Sequence, residues 1–322
     1  MSPRTAALTA VLWALAQGAA AQSYPAKPIR IVVPLASGGT GDTLGRLAAD
    51  KIREALGQQV IVENRPGANG IIGVDAVAKA APDGYTLLSA STGNVPINAA
   101  LYGAKLPFNI ERDLAPITQV ATTTSVVIVH PSVPARTIQA LIAIAKQRPG
   151  AINYASSGVG SAVHLGTVLF ETMAGIKLTH VPYKGSTPGR IAVVAGEAEL
   201  MFDGLLPALP LIKAGKLRAL GVTAAKRSAV MPELPTIAEA GLPGYEAATW
   251  YALFAPGGTP REIVDTLHGV IAKALQNRDL RERLLAQGAD PSGSTPEQLG
   301  AFVKSEMAKW GKVIRTAGVK PE

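Results

Sequence analysis

Three stretches of this 322-residue chain carry residue types and spacings that could hold an anion or move a proton. The first is Pro34-Leu35-Ala36-Ser37-Gly38-Gly39-Thr40-Gly41-Asp42, placed between a β-branched run and an amphipathic segment. Glycines there let backbone approach a bound molecule closely. The opening N–H groups of the following helix have no internal partner and lie at the positive end of its dipole. That is an anion site without a charged side chain; a plain βα turn accounts for the same residues. Asp42 and Arg46, at i and i+4, suit an ion pair near the helix start. The second stretch, Ser156-Ser157-Gly158-Val159-Gly160-Ser161, also precedes a helix. Ser161 suits an N-cap, and His164 falls in the first turn, either as a ligand or as a structural histidine. The third is Tyr183-Lys184-Gly185-Ser186. Asp203 follows Leu200-Met201-Phe202 at a strand end, where it either meets a ligand or caps the next helix. Gly93-Asn94, after another strand, is a weaker candidate.

Other chemistries fit these residues less well. Gly39-x-Gly41-x-x-x-Gly45 after a strand, with Glu63 about twenty residues on, imitates a dinucleotide fingerprint. A serine hydrolase would need Ser157 or Ser161 beside His164, but no G-x-S-x-G elbow and no placed acid accompany them. His130, His164, His180 and His268 show no metal-ligand spacing. With no cysteine in the chain, disulfides, thiolate metal sites and a cysteine nucleophile are excluded. No cofactor and no enzymatic activity are expected.

The elements that must position these residues alternate. Strands are expected at Ile29–Val33, Val60–Glu63 and Tyr85–Leu88, with helices over 40–56 and 71–80 between them. A second series starts near Ser125. It has strands at 126–129, 153–155, 178–181, 200–202 and 217–222, and helices over 137–146 and 161–173. The chain is extended again near 247–255, and helices are expected over 260–275, 280–287 and 296–311. Such alternation means parallel sheet covered by helices. Two α/β series and a helical tail suggest two lobes joined by more than one strand, with lobe one over 22–123 and 246–322 and lobe two over 124–245.

Composition agrees. Hydrophobic residues are 48% and charged ones 17% of the chain, which suits a folded protein, and aromatics are only 5%, so the core must be aliphatic. Arg4, the apolar stretch 6–16 and Ala19-Ala20-Ala21 have the layout of a signal peptide over 1–21, cleaved to leave Gln22 first. Without a cysteine there, a lipid anchor is not expected, and the mature protein should be free in the periplasm. Arg4 is the leader's one charged residue, so the net charge of +8 becomes +7. The basic residues are scattered rather than clustered among aromatics, which argues for small anions and against nucleic acid.

Several segments, in order, resemble a known family. They include Pro28–Pro34, Gly38-Gly39 with Asp42 and Arg46, and Val62-Glu63-Asn64-Arg65-Pro66-Gly67-Ala68. Ala80-Ala81-Pro82-Asp83-Gly84-Tyr85-Thr86-Leu87, Tyr154–Gly158, His180–Gly185, Ala214–Leu220 and Glu239–Tyr245 follow. The chain resembles the Bug-type extracytoplasmic solute receptors, the TctC-like binding component of tripartite tricarboxylate transporters. The resemblance implies an α/β, type II-like periplasmic binding fold. Each lobe would be a mixed or parallel sheet flanked by helices, with a ligand cleft between the lobes. It implies a small carboxylate as ligand: a di- or tricarboxylate, an acidic amino acid or an aromatic acid. A permease or a sensor would be the partner, and a monomer fits the class. The residues expected at the ligand are Ala36, Ser37, Gly38, Gly39, Thr40, Asp42, Gly93, Asn94, Ser156, Ser157, Gly158, Ser161, His164, Tyr183 and Asp203. Departures from the family pattern are Ala36-Ser37, Thr40-Gly41, Val168 and Ala192, so ligand preference cannot be copied from a relative.

Overall fold

Ile-Arg-Ile-Val-Val makes a strand that must be covered on both faces, since Ile29, Ile31, Val32 and Val33 are all buried. In the computed structural model, which describes residues 24–320, this strand β1 (Ile29–Val33) runs parallel to β2 (Val60–Asn64) and β3 (Thr86–Ser91). Helix α1 (Thr40–Leu56) crosses from β1 to β2. It buries Leu44, Ala48, Ala49 and Ile52 on one face, and Gly57 ends it with φ 70°, its N–H bonded to the Arg53 carbonyl. Helix α2 (Ile71–Ala78) precedes β3. The expected leader over 1–21 lies outside the described residues.

The six-stranded sheet has the order β11-β4-β10-β3-β1-β2, where β4 is Leu114–Thr123, β10 is Thr249–Pro256 and β11 is Ala289–Pro291. β10 is antiparallel to both neighbours, so the sheet is mixed. The second sheet has five strands in the order β7-β6-β8-β5-β9. They are β5 (Ser125–Val129), β6 (Asn153–Ser156), β7 (Thr179–Pro182), β8 (Leu200–Gly204) and β9 (Arg218–Val222). β6, β7 and β8 are parallel, and β5 is antiparallel to β8 and β9. Helices α6 (Ala162–Ala174), α7 (Ser186–Ala195) and α8 (Leu205–Lys213) cover this sheet together with α5 (Ile138–Gln147). Short helical turns α3 (Asn98–Tyr102) and α4 (Ile110–Asp113) lie between β3 and β4. The result is a two-lobed α/β fold with two mixed sheets.

The chain passes between sheets twice, side by side. Thr124 alone separates β4 from β5, and the return enters β10 from Ala247, whose N–H bonds to the Thr223 carbonyl at 2.9 Å. Thr223 also donates its N–H to the Ser125 carbonyl at 2.9 Å, and the Thr123 hydroxyl bonds to the Thr249 carbonyl at 3.2 Å. The two crossings are therefore one hydrogen-bonded ribbon. β4 is absent from the sequence expectation because Pro116 and a mixed Ala/Thr/Gln run hide its alternation. After α9 (Arg261–Gln276) and α10 (Arg278–Ala286), the last helix, α11 (Pro296–Ala317), opens with a capping box between Thr295 and Gln298.

Helix α11 extends a turn and a half past the expected end and packs on both lobes. Leu299 and Val303 join the core around β3 and β10, and Trp310, Val313 and Ile314 join the core of the second lobe. Buried Glu306 fixes its position: Oε2 accepts the indole N–H of Trp250 at 3.2 Å and of Trp310 at 3.0 Å, and Oε1 accepts from Lys309 at 3.1 Å. Glu306→Ala leaves two buried indole donors unpaired and should destabilise the fold by about 2–3 kcal/mol. Glu306→Gln, which keeps an acceptor, should cost less. Denaturant unfolding of the two variants checks the order.

Candidate functional site

The loop after β1 owes its shape to one carboxylate. Gly38 adopts φ 80°, a left-handed conformation that glycine takes without strain. Its N–H donates to Asp42 Oδ2 at 2.9 Å. Arg46 Nε donates to the same oxygen at 3.0 Å, and Asn64 Nδ2 reaches Oδ1 at 3.0 Å and the Leu35 carbonyl at 3.1 Å. Asp42 is buried, and the Arg46 hydrogen bond leads the causes that hold its carboxyl down to about 2. Its oxygens are thus committed to the protein: Asp42 braces the loop from beneath and does not line the cleft in front of it. Gly39, the N-cap of α1, has no capping side chain, so the opening N–H groups of a 17-residue helix stay free.

That cleft lies between the lobes and has a volume of about 780 Å³. The first lobe contributes residues 35–41, Thr43 and Leu44, with Tyr251 and the segment 287–289 at its side. The ribbon of crossings contributes Thr123, Thr124, Ser125 and Thr249. The second lobe contributes Val163, Ser186, Thr187, Arg190 and the segment 203–207. Tyr251 keeps its phenolic proton, burial pushing it up to about 12 against the Thr123 and Thr40 hydroxyls beside it.

Arg190 and Asp203 form an ion pair in the second-lobe wall. Nε of Arg190 donates to Asp203 Oδ2, and Nη2 reaches Oδ1 at 3.4 Å. The Asp203 side chain is 1% exposed and that of Arg190 13%. Burial raises the Asp203 carboxyl above its ordinary range, and the guanidinium opposes that rise. Asp203 caps no helix; Gly204 is the N-cap of α8. An aspartate turned toward Arg190 in this way has no carboxylate lone pairs waiting for a ligand amine on that edge.

The structure therefore gathers Ala36, Ser37, Gly38, Gly39, Thr40 and Asp203 in one cleft and leaves the other expected residues outside its lining. Gly93 and Asn94 are buried in a helical turn, where Asn94 Oδ1 accepts from the Ser91 hydroxyl at 2.8 Å and Nδ2 donates to the Asn69 carbonyl at 3.0 Å. Asn69 also reaches the Gly160 carbonyl at 3.3 Å, so the 156–161 loop meets the first lobe there rather than across the cleft. Ser156 is fully buried, its Oγ 2.6 Å from His180 Nε2. Ser157 and Gly158 continue that loop outside the lining, and Ser161 caps α6, accepting the His164 N–H at 3.2 Å. His164 is buried, stacks on His180 with centroids 4.1 Å apart, and accepts the Gly160 N–H on Nδ1 at 3.1 Å. Tyr183 packs beside the Val126–Ile128 core of the second lobe. Sequence reasoning missed Arg190, Tyr251 and the Thr123-Thr124-Ser125 crossing; the run of hydroxyls before β5 was the one available signal.

Comparison with known proteins decides the family. The profile of the tripartite tricarboxylate transporter family receptor, TctC, matches residues 44–319. The chain belongs to this family. Its members are solute-binding receptors. Protein BugT of Bordetella pertussis is 38% identical over 95% of this chain and 94% of its own. Among solved structures, Rpa4515 of R. palustris with adipate is 40% identical, with TM-score 0.83 over 93% of this chain and 100% of its own. MatC of Rhodopseudomonas palustris with bound malate is 32% identical, with TM-score 0.78 over 90% and 100%.

The stacked histidines give this receptor a pH signature. Burial, helped by the neighbouring His180, lowers His164 to about 3, and burial lowers His180 to about 4. Both rings are neutral in the folded protein but would take protons near pH 6.5 when unfolded. Their contribution is complete above pH 6.5 and is lost as the pH falls from there toward 4 and 3. Unfolding free energy should drop by about 2 kcal/mol between pH 7 and pH 4.5 on account of the buried His164, with a smaller share from the half-buried His180, whose charge solvent screens. Replacing both histidines with glutamine should flatten that slope, which denaturant titration at a series of pH values measures.

Proposed function

We propose that this receptor is secreted to the periplasm, holds a small carboxylate between its lobes without turning it over, and delivers it to a tripartite permease or a sensor. The observation that carries the reading is the open N-terminus of α1 facing an inter-lobe cleft. Uncapped backbone N–H groups there suit an anion, and Asp42, bonded to the Gly38 N–H, holds the loop before them without capping the helix. The adipate and malate held by family members support a carboxylate. Among the described residues no helix is long and apolar enough to cross a membrane. The leader layout over 1–21 is what supports export. The lobes, 22–123 with 246–322 and 124–245, rotate about the ribbon at Thr124 and Thr223–Ala247. Closure dries the cleft and strengthens each N–H···carboxylate bond.

A thermal-shift screen of the chain from Gln22 tests this reading with aliphatic, acidic amino and aromatic carboxylates, with nicotinamide dinucleotides and neutral sugars as controls. A bound carboxylate at a hundredfold excess over Kd should stabilise the fold by about 2.7 kcal/mol and be recovered unchanged. Silence from every carboxylate beside a clear response to a dinucleotide or a sugar sinks the reading.

Gly39→Leu should abolish the response. Gly39 has φ −88°, which any residue adopts, and a Cβ there would come no nearer than 3.8 Å to the Ala36 carbonyl oxygen. The added side chain therefore enters the cleft at little cost to folding, and the unliganded melting temperature should stay close to that of the parent.

A further inference from the structure

The cleft holds two charged side chains among the residues that line it, Arg190 and Asp203, and they are paired with each other. A guanidinium is a planar fork with more N–H groups than one carboxylate can take. Asp203 occupies the Nε and Nη2 side, and among the described residues Asp203 is the only hydrogen-bond partner of the Arg190 side chain. The Nη1 side remains, on a residue that lines the cleft. Burying an ion pair in this wall costs desolvation that apolar side chains of similar size would avoid. A buried pair with spare donors on a residue of the cleft wall is explained if those donors have a use. The lining also includes Leu35, Val163, Leu205, Leu206 and Pro207, which suit an apolar spacer.

We propose that Arg190 is a specificity-determining residue of this receptor: held by Asp203, it takes the second carboxylate of a linear dicarboxylate whose first carboxylate sits at the α1 N-terminus. The inference rests on the reading of the cleft as a carboxylate site and adds which carboxylates it prefers. The Nη1 and remaining Nη2 N–H groups meet a carboxylate in the forked geometry that a guanidinium offers. The edge of Asp203 that faces Arg190 is spent on the guanidinium and is closed to an α-amino group.

Calorimetric titration of succinate, glutarate, adipate and pimelate, each beside its monomethyl ester, tests this. The ester keeps the length and one carboxylate and loses the second. The best-binding diacid should exceed its ester by at least tenfold in the parent protein. In Arg190→Met that ratio should fall toward one. Since Arg190→Met leaves Asp203 buried without a partner, Arg190→Met combined with Asp203→Leu is measured as well, replacing the pair by apolar side chains. A parent ratio near one overturns the proposal, as does a ratio that survives in whichever variant folds. Failure of all four diacids overturns it too. The receptor reading falls with it only if the amino and aromatic carboxylates of the wider screen are silent as well.

Discussion

The cleft depends on a carboxylate that never reaches it. Asp42 draws together the N–H of Gly38, the Arg46 guanidinium and the Asn64 amide, and through Asn64 the Leu35 carbonyl. The chain between β1 and α1 is therefore tied from both ends to the last residue of β2, and the helix start is held open toward the second lobe. An acid used as a ligand contact in this position would have to give up one of those bonds. Used as a brace, it fixes backbone donors that cost no reorganisation when an anion arrives. The carboxyl, held down to about 2, stays ionised throughout the physiological range, so the brace does not loosen with pH.

The second lobe is built by the same logic from different parts. α7 also begins without a capping side chain, at Gly185, and Ser186 and Thr187 at its start line the cleft. Arg190 follows one turn later, where the helix carries it under Asp203 at the end of β8. The strand–helix geometry that gives the first lobe its N–H groups thus gives the second lobe both N–H groups and a fixed cation. The two lobes are joined by the crossing ribbon, by Asn69 against Gly160 and by α11, whose residues enter the cores of both.

Much of this was legible in the sequence, for physical reasons that differ by element. β1 and α1 follow from β-branched runs and apolar spacing, and the Gly38-Gly39 loop follows from its position between them. The return of the chain at Thr249–Pro256 was visible as an extended stretch, but not its place in the middle of the first sheet, because pairing partners are remote in sequence. The side chains around the cleft were harder. Ser156, Ser161 and His164 look like site residues by type and spacing, yet the two hydroxyls and the His164 Nδ1 are taken by the Gly158 and Gly160 backbone and by His180. Arg190 carries no local signal at all. On a helix written Ser-Thr-Pro-Gly-Arg-Ile-Ala it reads as one more scattered base, and its meaning appears only when β8 brings Asp203 beside it.

That scatter bears on how charge works here. The chain's net charge of +8 is spread over the surface, whereas the two charges lining the cleft cancel. Surface charge attracts every anion alike and fades within about 10 Å at 0.1 M salt. It can speed encounter but cannot select. Selection has to come from groups whose direction is fixed inside the cleft: the helix-start N–H groups held by Asp42 and the guanidinium held by Asp203. In both walls an aspartate of the protein fixes the donor and leaves part of its hydrogen-bonding capacity unspent. The cleft is thereby kept near neutral when empty, which limits the desolvation penalty of closing it, while its donors are already oriented for an anion.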